Sequence, residues 1–198
     1  MRVYLKNRSL LNITGSDSES FLQAQLSNDI SKLGSSKIQI NAYCQHQGKI
    51  IGLFWVMRYQ NGFLISFPNE LLEKIKSRLK MFVLMSDVII EDASSLFSQI
   101  GLINESSPSE LRINNNLALL IEDYTNKDID LPQNETTWYK ACFDSCLPEV
   151  YMETSEKLVP QMLNLDIDEV GVSFSKGCYP GQEVVARLHY LGSAKRRL

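Results

Sequence analysis

Short apolar runs broken by polar turns set the pattern of this chain. Val3–Leu5 and Leu10–Thr14 predict two strands. Ser16 followed by Glu19 has the spacing of a capping box, which predicts a helix with Phe21, Leu22 and Leu26 on its apolar face. Ile38, Ile40, Ala42 and Cys44 alternate with Gln39, Asn41 and Tyr43, the period of a half-buried strand. Gly48 then marks a turn. Ile50–Arg58 and Phe63–Phe67 flank Gln60-Asn61-Gly62, so the Asn-Gly pair predicts the turn of a hairpin. The nearly continuous apolar character of both arms predicts burial.

Asn69 is placed to cap a helix carrying Leu71, Leu72, Ile75 and Leu79, with Lys74, Lys76, Arg78 and Lys80 forming a solvated basic face. Further strands are predicted at Val88–Ile90, Gln99–Ile103, Leu117–Ile121 and Thr137–Phe143, with polar stretches at Asn104–Glu110 and Thr125–Thr136. Strands outnumber helices and many connections are short. The expected class is therefore α+β, with antiparallel sheets and flanking helices, because a parallel sheet needs a helix at almost every crossover.

Composition narrows the function classes. The 198 residues are 44% apolar, enough for a substantial core. Twenty Lys and Arg against 23 Asp and Glu leave a net charge of -3, without a broad basic field for a phosphate backbone. Direct nucleic-acid binding is not expected. Met1–Leu10 is polar and charged through Arg2, Lys6, Asn7 and Arg8, unlike a signal peptide, and no apolar run is long enough for a bilayer. The expectation is a cytoplasmic protein with no membrane partner. Cys44, Cys142, Cys146 and Cys178 are too few for a disulfide framework and are expected to be reduced. Cys44 with His46 and Cys142 with Cys146 make two ligand pairs, but no local set of four has zinc spacing, so no metal is expected.

The densest chemistry lies in Lys176-Gly177-Cys178-Tyr179-Pro180-Gly181-Gln182-Glu183. Pro180-Gly181 punctuates the chain before Gln182–Leu188, a credible short helix. Cys178 would lie near the helix N-terminus, where free N–H groups and nearby Lys176 favour a thiolate. A second reading is a tight turn in which the glycines serve geometry and Cys178 only packs. His189 follows the motif as a helper for the thiol or a surface residue, and Asp166, Asp168 and Glu169 form an acidic cluster read as a solvated loop.

Lys-Gly-Cys-Tyr-x-Gly-Gln-Glu resembles the signature of the YgfZ family. The flanks Gly171–Phe174 and Val184–Arg187, the approach Pro160–Leu165, and the upstream segments Ile13–Asp17, Phe21–Leu26 and Gln47–Lys49 extend the resemblance through nearly the whole chain. It implies an aminomethyltransferase-like folate-binding fold including a ferredoxin-like unit. It also implies a tetrahydrofolate or derivative as cofactor, and iron-sulfur client enzymes, including those that thiolate tRNA, as partners. The implied organisation is a discontinuous folate-binding domain, residues 1–47 and 137–198, around a ferredoxin-like unit, 48–136. The family's C-terminal barrel is absent from this chain, and Lys195–Leu198 resembles the start of one of its strands.

By the same resemblance Cys178 is a functional thiol supported by Lys176. Trp138, Tyr179, Gln182, Glu183 and Arg187 are candidates for the folate site, with Arg8 where the family has a second tryptophan. Trp138 would stack on the folate rings, its other reading being a core aromatic of the strand Thr137–Phe143, and Arg8 would stack or pair with the glutamate tail. Aminomethyltransferases carry an acidic pair at the stretch matching Ile50-Ile51-Gly52-Leu53, which here has no acid. Aminomethyl transfer is therefore not expected, and the expected role is an accessory factor for iron-sulfur enzymes and tRNA modification. A folate-dependent transferase and a thiol-redox protein are the alternatives.

Overall fold

A computed structural model describes residues 1–124, 135–192 and 194–198. Its frame is a five-stranded sheet in the order β3-β4-β5-β2-β6. The strands are β2 (Arg8–Thr14), β3 (Gln39–Cys44), β4 (Ile50–Tyr59), β5 (Gly62–Pro68) and β6 (Ile89–Asp92). A second sheet has the order β1-β7-β9-β8, from β1 (Arg2–Tyr4), β7 (Phe97–Ile103), β8 (Leu111–Arg112) and β9 (Leu117–Asp123). All neighbouring strands run antiparallel, as the short connections required.

The larger sheet is buried on both faces. Phe54 and Val56 of β4 join α1 (Ser18–Gln25) and α2 (Leu72–Lys80) through Leu22, Ile75 and Leu79. Leu53, Trp55 and Met57 point the other way, into a core shared with Val3, Leu117 and Leu119 of the smaller sheet. Alternation along a strand thus feeds two cores from one sequence. For this reason β3 is not half-buried: Asn41 and Tyr43 are as inaccessible as Ala42.

Several local expectations change. Thr137–Phe143 is helical, within α3 (Glu135–Asp144), because Trp138 and Cys142, four residues apart, share the face turned to the core. The capping box does not form: the Ser16 amide and hydroxyl both donate to Asp87, tying the start of α1 to the loop before β6. Asn69 lies in a 3-10 turn and does not cap α2 through its side chain. The hairpin turn is Gln60-Asn61, with Gln60 at φ 48, while Gly62 is already paired with Tyr59. A boundary between residues 47 and 48 would divide β3 from β4, which pair along six positions, so the larger sheet spans both portions. The stretch 195–198 is not a strand; Arg197 instead clamps Asp166 with two hydrogen bonds of 2.8 and 2.9 Å.

One close approach fixes α3 on the smaller sheet. The Trp138 indole lies against Gly101, where an added Cβ would fall 2.4 Å from the ring. Val3 and Leu119 flank Gly101 in the register of the sheet. Gly101→Ala should therefore cost about 1–3 kcal/mol, since neither ring nor strand has room to retreat. Urea unfolding would measure it, and an unchanged midpoint would refute this docking.

Candidate functional site

The glycine-rich motif folds as a loop leading into α4 (Gln182–Leu191), the helix expected from the sequence. Gly181 sits at φ +84, and a side chain there would meet the Gln45 carbonyl at 2.4 Å and Gly48 at 2.8 Å. The motif thereby packs directly on the turn at Gln47-Gly48-Lys49. Lys176 is buried and points back toward the C-terminal end of α1, where its ammonium donates to the carbonyls of Gln23, Leu26 and Asn28. Burial pulls its pKa down to about 8, with Asp29 opposing. All three donors are committed to the backbone, so Lys176 anchors the loop; its part in the site is positional. Tyr179 is also buried, and burial pushes its phenol upward, while Cys178 is exposed. Gln182 is half-buried at the start of α4; Glu183 and Arg187 face solvent.

His189 stacks on Phe174 with centroids 3.9 Å apart and lies 3.5 Å from Asp166. It belongs to a local cluster, and Asp166 is a buried partner of Arg197, not a solvated loop residue.

Trp138 and Arg8 occupy a different place. The Trp138 side chain is 1% exposed and meets Trp55 edge-on, so it has no open face on which a ring could stack. The Arg8 guanidinium lies 3.6 Å over the Trp55 ring and forms a buried ion pair with Glu149. It is not free to hold a glutamate tail. Trp138 and Arg8 do not line the cleft of about 580 Å³ that opens on the next surface of α3. Tyr139, Phe143, Tyr151, Leu158 and Leu163 line it, with Glu149 among them. The Glu149 carboxyl is raised by burial, against the pull of Arg8. One carboxylate oxygen, Oε1, is buried without a hydrogen-bond partner.

Cys178, Lys176, Tyr179, Gln182, Glu183 and Arg187 do not line this cleft. Pro160–Leu163 joins the two groups: Gln161 donates to the Val185 carbonyl of α4 at 2.7 Å, and Leu163 of the same turn faces the cleft. Cys44 and Cys142 are buried, with thiols pushed up to about 12, and among the described residues no group of three or more His, Cys, Asp or Glu is arranged to hold a metal. No described helix is long and apolar enough to cross a membrane.

No protein-family model matches the chain. A tRNA-modifying protein YgfZ from Colwellia psychrerythraea is 28% identical, over 99% of this chain and 69% of its own length, and proteins of the same name recur in other bacteria. The chain is a homologue of YgfZ proteins. An uncharacterized protein of Haemophilus influenzae is 29% identical over 99% of this chain and 71% of its own. The crystal structure of the glycine cleavage system aminomethyltransferase T from Bartonella henselae superposes with a TM-score of 0.64 at 10% identity. That match covers 96% of this chain and 63% of the other. The YgfZ homologue therefore has the aminomethyltransferase fold, as its motif implied.

Sequence reasoning missed Glu149, Tyr139 and Tyr151. The signal was the helical reading of 135–144, which places Tyr139 and Phe143 on one side and Trp138 on another. Lys176→Met should lower stability by about 1–3 kcal/mol in urea unfolding, because three buried carbonyls lose their donor. In native protein, alkylation mapped by mass spectrometry should label Cys178 and Cys146, both exposed, and spare Cys44 and Cys142. Labelling of Cys142 before unfolding would contradict the packing of α3.

Proposed function

We propose that this YgfZ homologue is a folate-binding accessory protein that supports iron-sulfur enzymes and, through them, tRNA modification. The observation that carries the folate assignment is the cleft beside α3: large, mostly apolar, and bearing one buried carboxylate oxygen that lacks a donor. A pteridine with its aminobenzoyl arm needs a slot of this kind, apolar along the walls with few polar groups. The aminomethyltransferase fold and the relatives named as tRNA-modifying proteins support the reading. Tyr139, Phe143 and Tyr151 would bind the flat rings, Leu158 and Leu163 exclude water, and Glu149 orients the bound edge. A bound reduced folate would supply a one-carbon carrier.

Cys178 has a separate part in this reading. It stands exposed on a loop pinned by Lys176 and Gly181, and it does not line the cleft. A fixed, accessible thiol suits contact with a client protein. The net charge of -3 keeps the nucleic-acid link indirect, through those clients.

The test separates the two parts. Isothermal titration with 5-formyltetrahydrofolate should show saturable binding, and Phe143→Ala should weaken it roughly five- to hundred-fold, by analogy with aromatic stacking elsewhere. Phe143 is 82% exposed, so its loss should leave stability nearly unchanged. Cys178→Ser should bind folate as the parent does, yet fail to restore iron-sulfur enzyme activity in cells lacking the native protein. Full complementation by Cys178→Ser would remove the thiol from the function.

A further inference from the structure

We propose that the exposed turn after α2, residues 81–86, is where an iron-sulfur client protein docks, through an apolar pocket with an acidic rim. This rests on the client reading above and adds the place and chemistry of the contact.

Large apolar side chains crowd into water on this turn. Met81 is 70% exposed, Leu84 86% and Met85 wholly so, with Phe82 beside them. Single exposed apolar residues are ordinary, but a cluster of this kind marks a contact surface. Val83 alone turns inward, onto the core beneath α1 and α2. Leu84 sits at φ 43, a left-handed conformation that suits asparagine or glycine and disfavours leucine. The turn is nonetheless fixed at both ends. The Phe82 amide donates to the Leu79 carbonyl and the Ser86 amide to that of Val83. Asp87 accepts from the Ser16 amide and hydroxyl, and its own amide donates to the Asp17 carboxylate. A knob held in this way loses little entropy on binding.

Charge selects the partner. Lys74 of α2 pairs with Glu156, but Lys76 and Lys80, nearer the turn, have no ion-pair partner among the described residues. On the other side Asp17 and Asp87 are engaged in the clamp. The uncompensated charge beside the knob is therefore positive, which fits an acidic rim. It disfavours a second copy of this chain, whose acids at the turn are engaged in the same way. A small patch with flexible methionines suits brief contact with clients of differing shape. The turn also lies at one end of α1, while Lys176 pins the Cys178 loop at the other, about 12 Å along the helix. Between them α1 exposes only the small side chains of Ser20 and Ala24, so a docked client can reach the thiol.

The experiment measures binding of a purified tRNA-thiolating iron-sulfur enzyme to the whole chain by biolayer interferometry. The chains compared are the parent, Leu84→Asn with Met85→Ser, and Lys76→Glu with Lys80→Glu. The apolar double variant should bind about tenfold or more weakly, and the charge reversal about threefold or more, with the parent's salt dependence lost. Both should keep the parent's urea midpoint and its affinity for 5-formyltetrahydrofolate, since Asn suits the backbone at position 84 and the other side chains stand at the surface. Parent-like binding by the folded apolar variant overturns the proposal, as does absence of binding by the parent. If the apolar variant does not fold, unchanged binding by the charge reversal overturns it. The client reading survives each of these results, because complementation by Cys178→Ser tests it separately. Self-association of the parent in sedimentation equilibrium, abolished in the apolar variant, would assign the turn to a second copy and overturn the proposal. So would binding to phosphatidylglycerol vesicles that the same variant loses, which would assign it to a lipid surface.

Discussion

The buried Arg8–Glu149 pair over the Trp55 ring is the constraint around which the rest is arranged. A guanidinium so far from water is tolerated only with a partner in place, and a carboxylate likewise. Arg8 comes from β2, Trp55 from β4, and Glu149 from the segment after α3, so three distant stretches must converge before either charge is satisfied. Gln99 of β7 adds a fourth, donating to the Arg8 carbonyl and accepting from Ser66, which in turn accepts from Arg8. The pair thus ties the larger sheet, the smaller sheet and the wall of the cleft into one unit. Rigidity at the cleft follows from this, since Glu149 cannot swing away without stranding Arg8.

Trp138 extends the same logic by packing. Its ring is trapped between Gly101 and Trp55, which sets the rotation of α3 about its own axis. That rotation decides that Tyr139 and Phe143 line the cleft and that Cys142 lies at its buried edge. At the opposite side of Pro160–Leu163, Lys176 reaches across to the end of α1 and Gly181 presses on Gly48. Motifs more than a hundred residues apart are thereby joined, and Cys178 is left at the surface between fixed points.

The strands of the larger sheet were legible because their apolar runs and turn residues agree. Ile50–Tyr59 and Gly62–Pro68 could scarcely be anything else. What the pattern did not reveal was that the other side of β3 is also covered, because Asn41 is polar but satisfied by hydrogen bonding to the Asn28 amide. Thr137–Phe143 is too short for periodicity to separate helix from strand, and tertiary burial of Trp138 and Cys142 decided it. The motif loop was recognisable from its residue types, whereas the cleft was not. Its walls come from α3 and from the segments around Glu149, Leu158 and Leu163, whose convergence no one-dimensional pattern displays. Arg8 and Lys176 show the same limit, for both read as free cations in sequence, whereas in space Arg8 is paired with Glu149 and Lys176 is bonded to three backbone carbonyls.

The account stands on where a folate binds. A crystal structure of the chain with 5-formyltetrahydrofolate should place the pteridine in the cleft between Tyr139, Phe143 and Leu163. A folate bound instead against the Cys178 loop, with the cleft filled only by solvent, would contradict it.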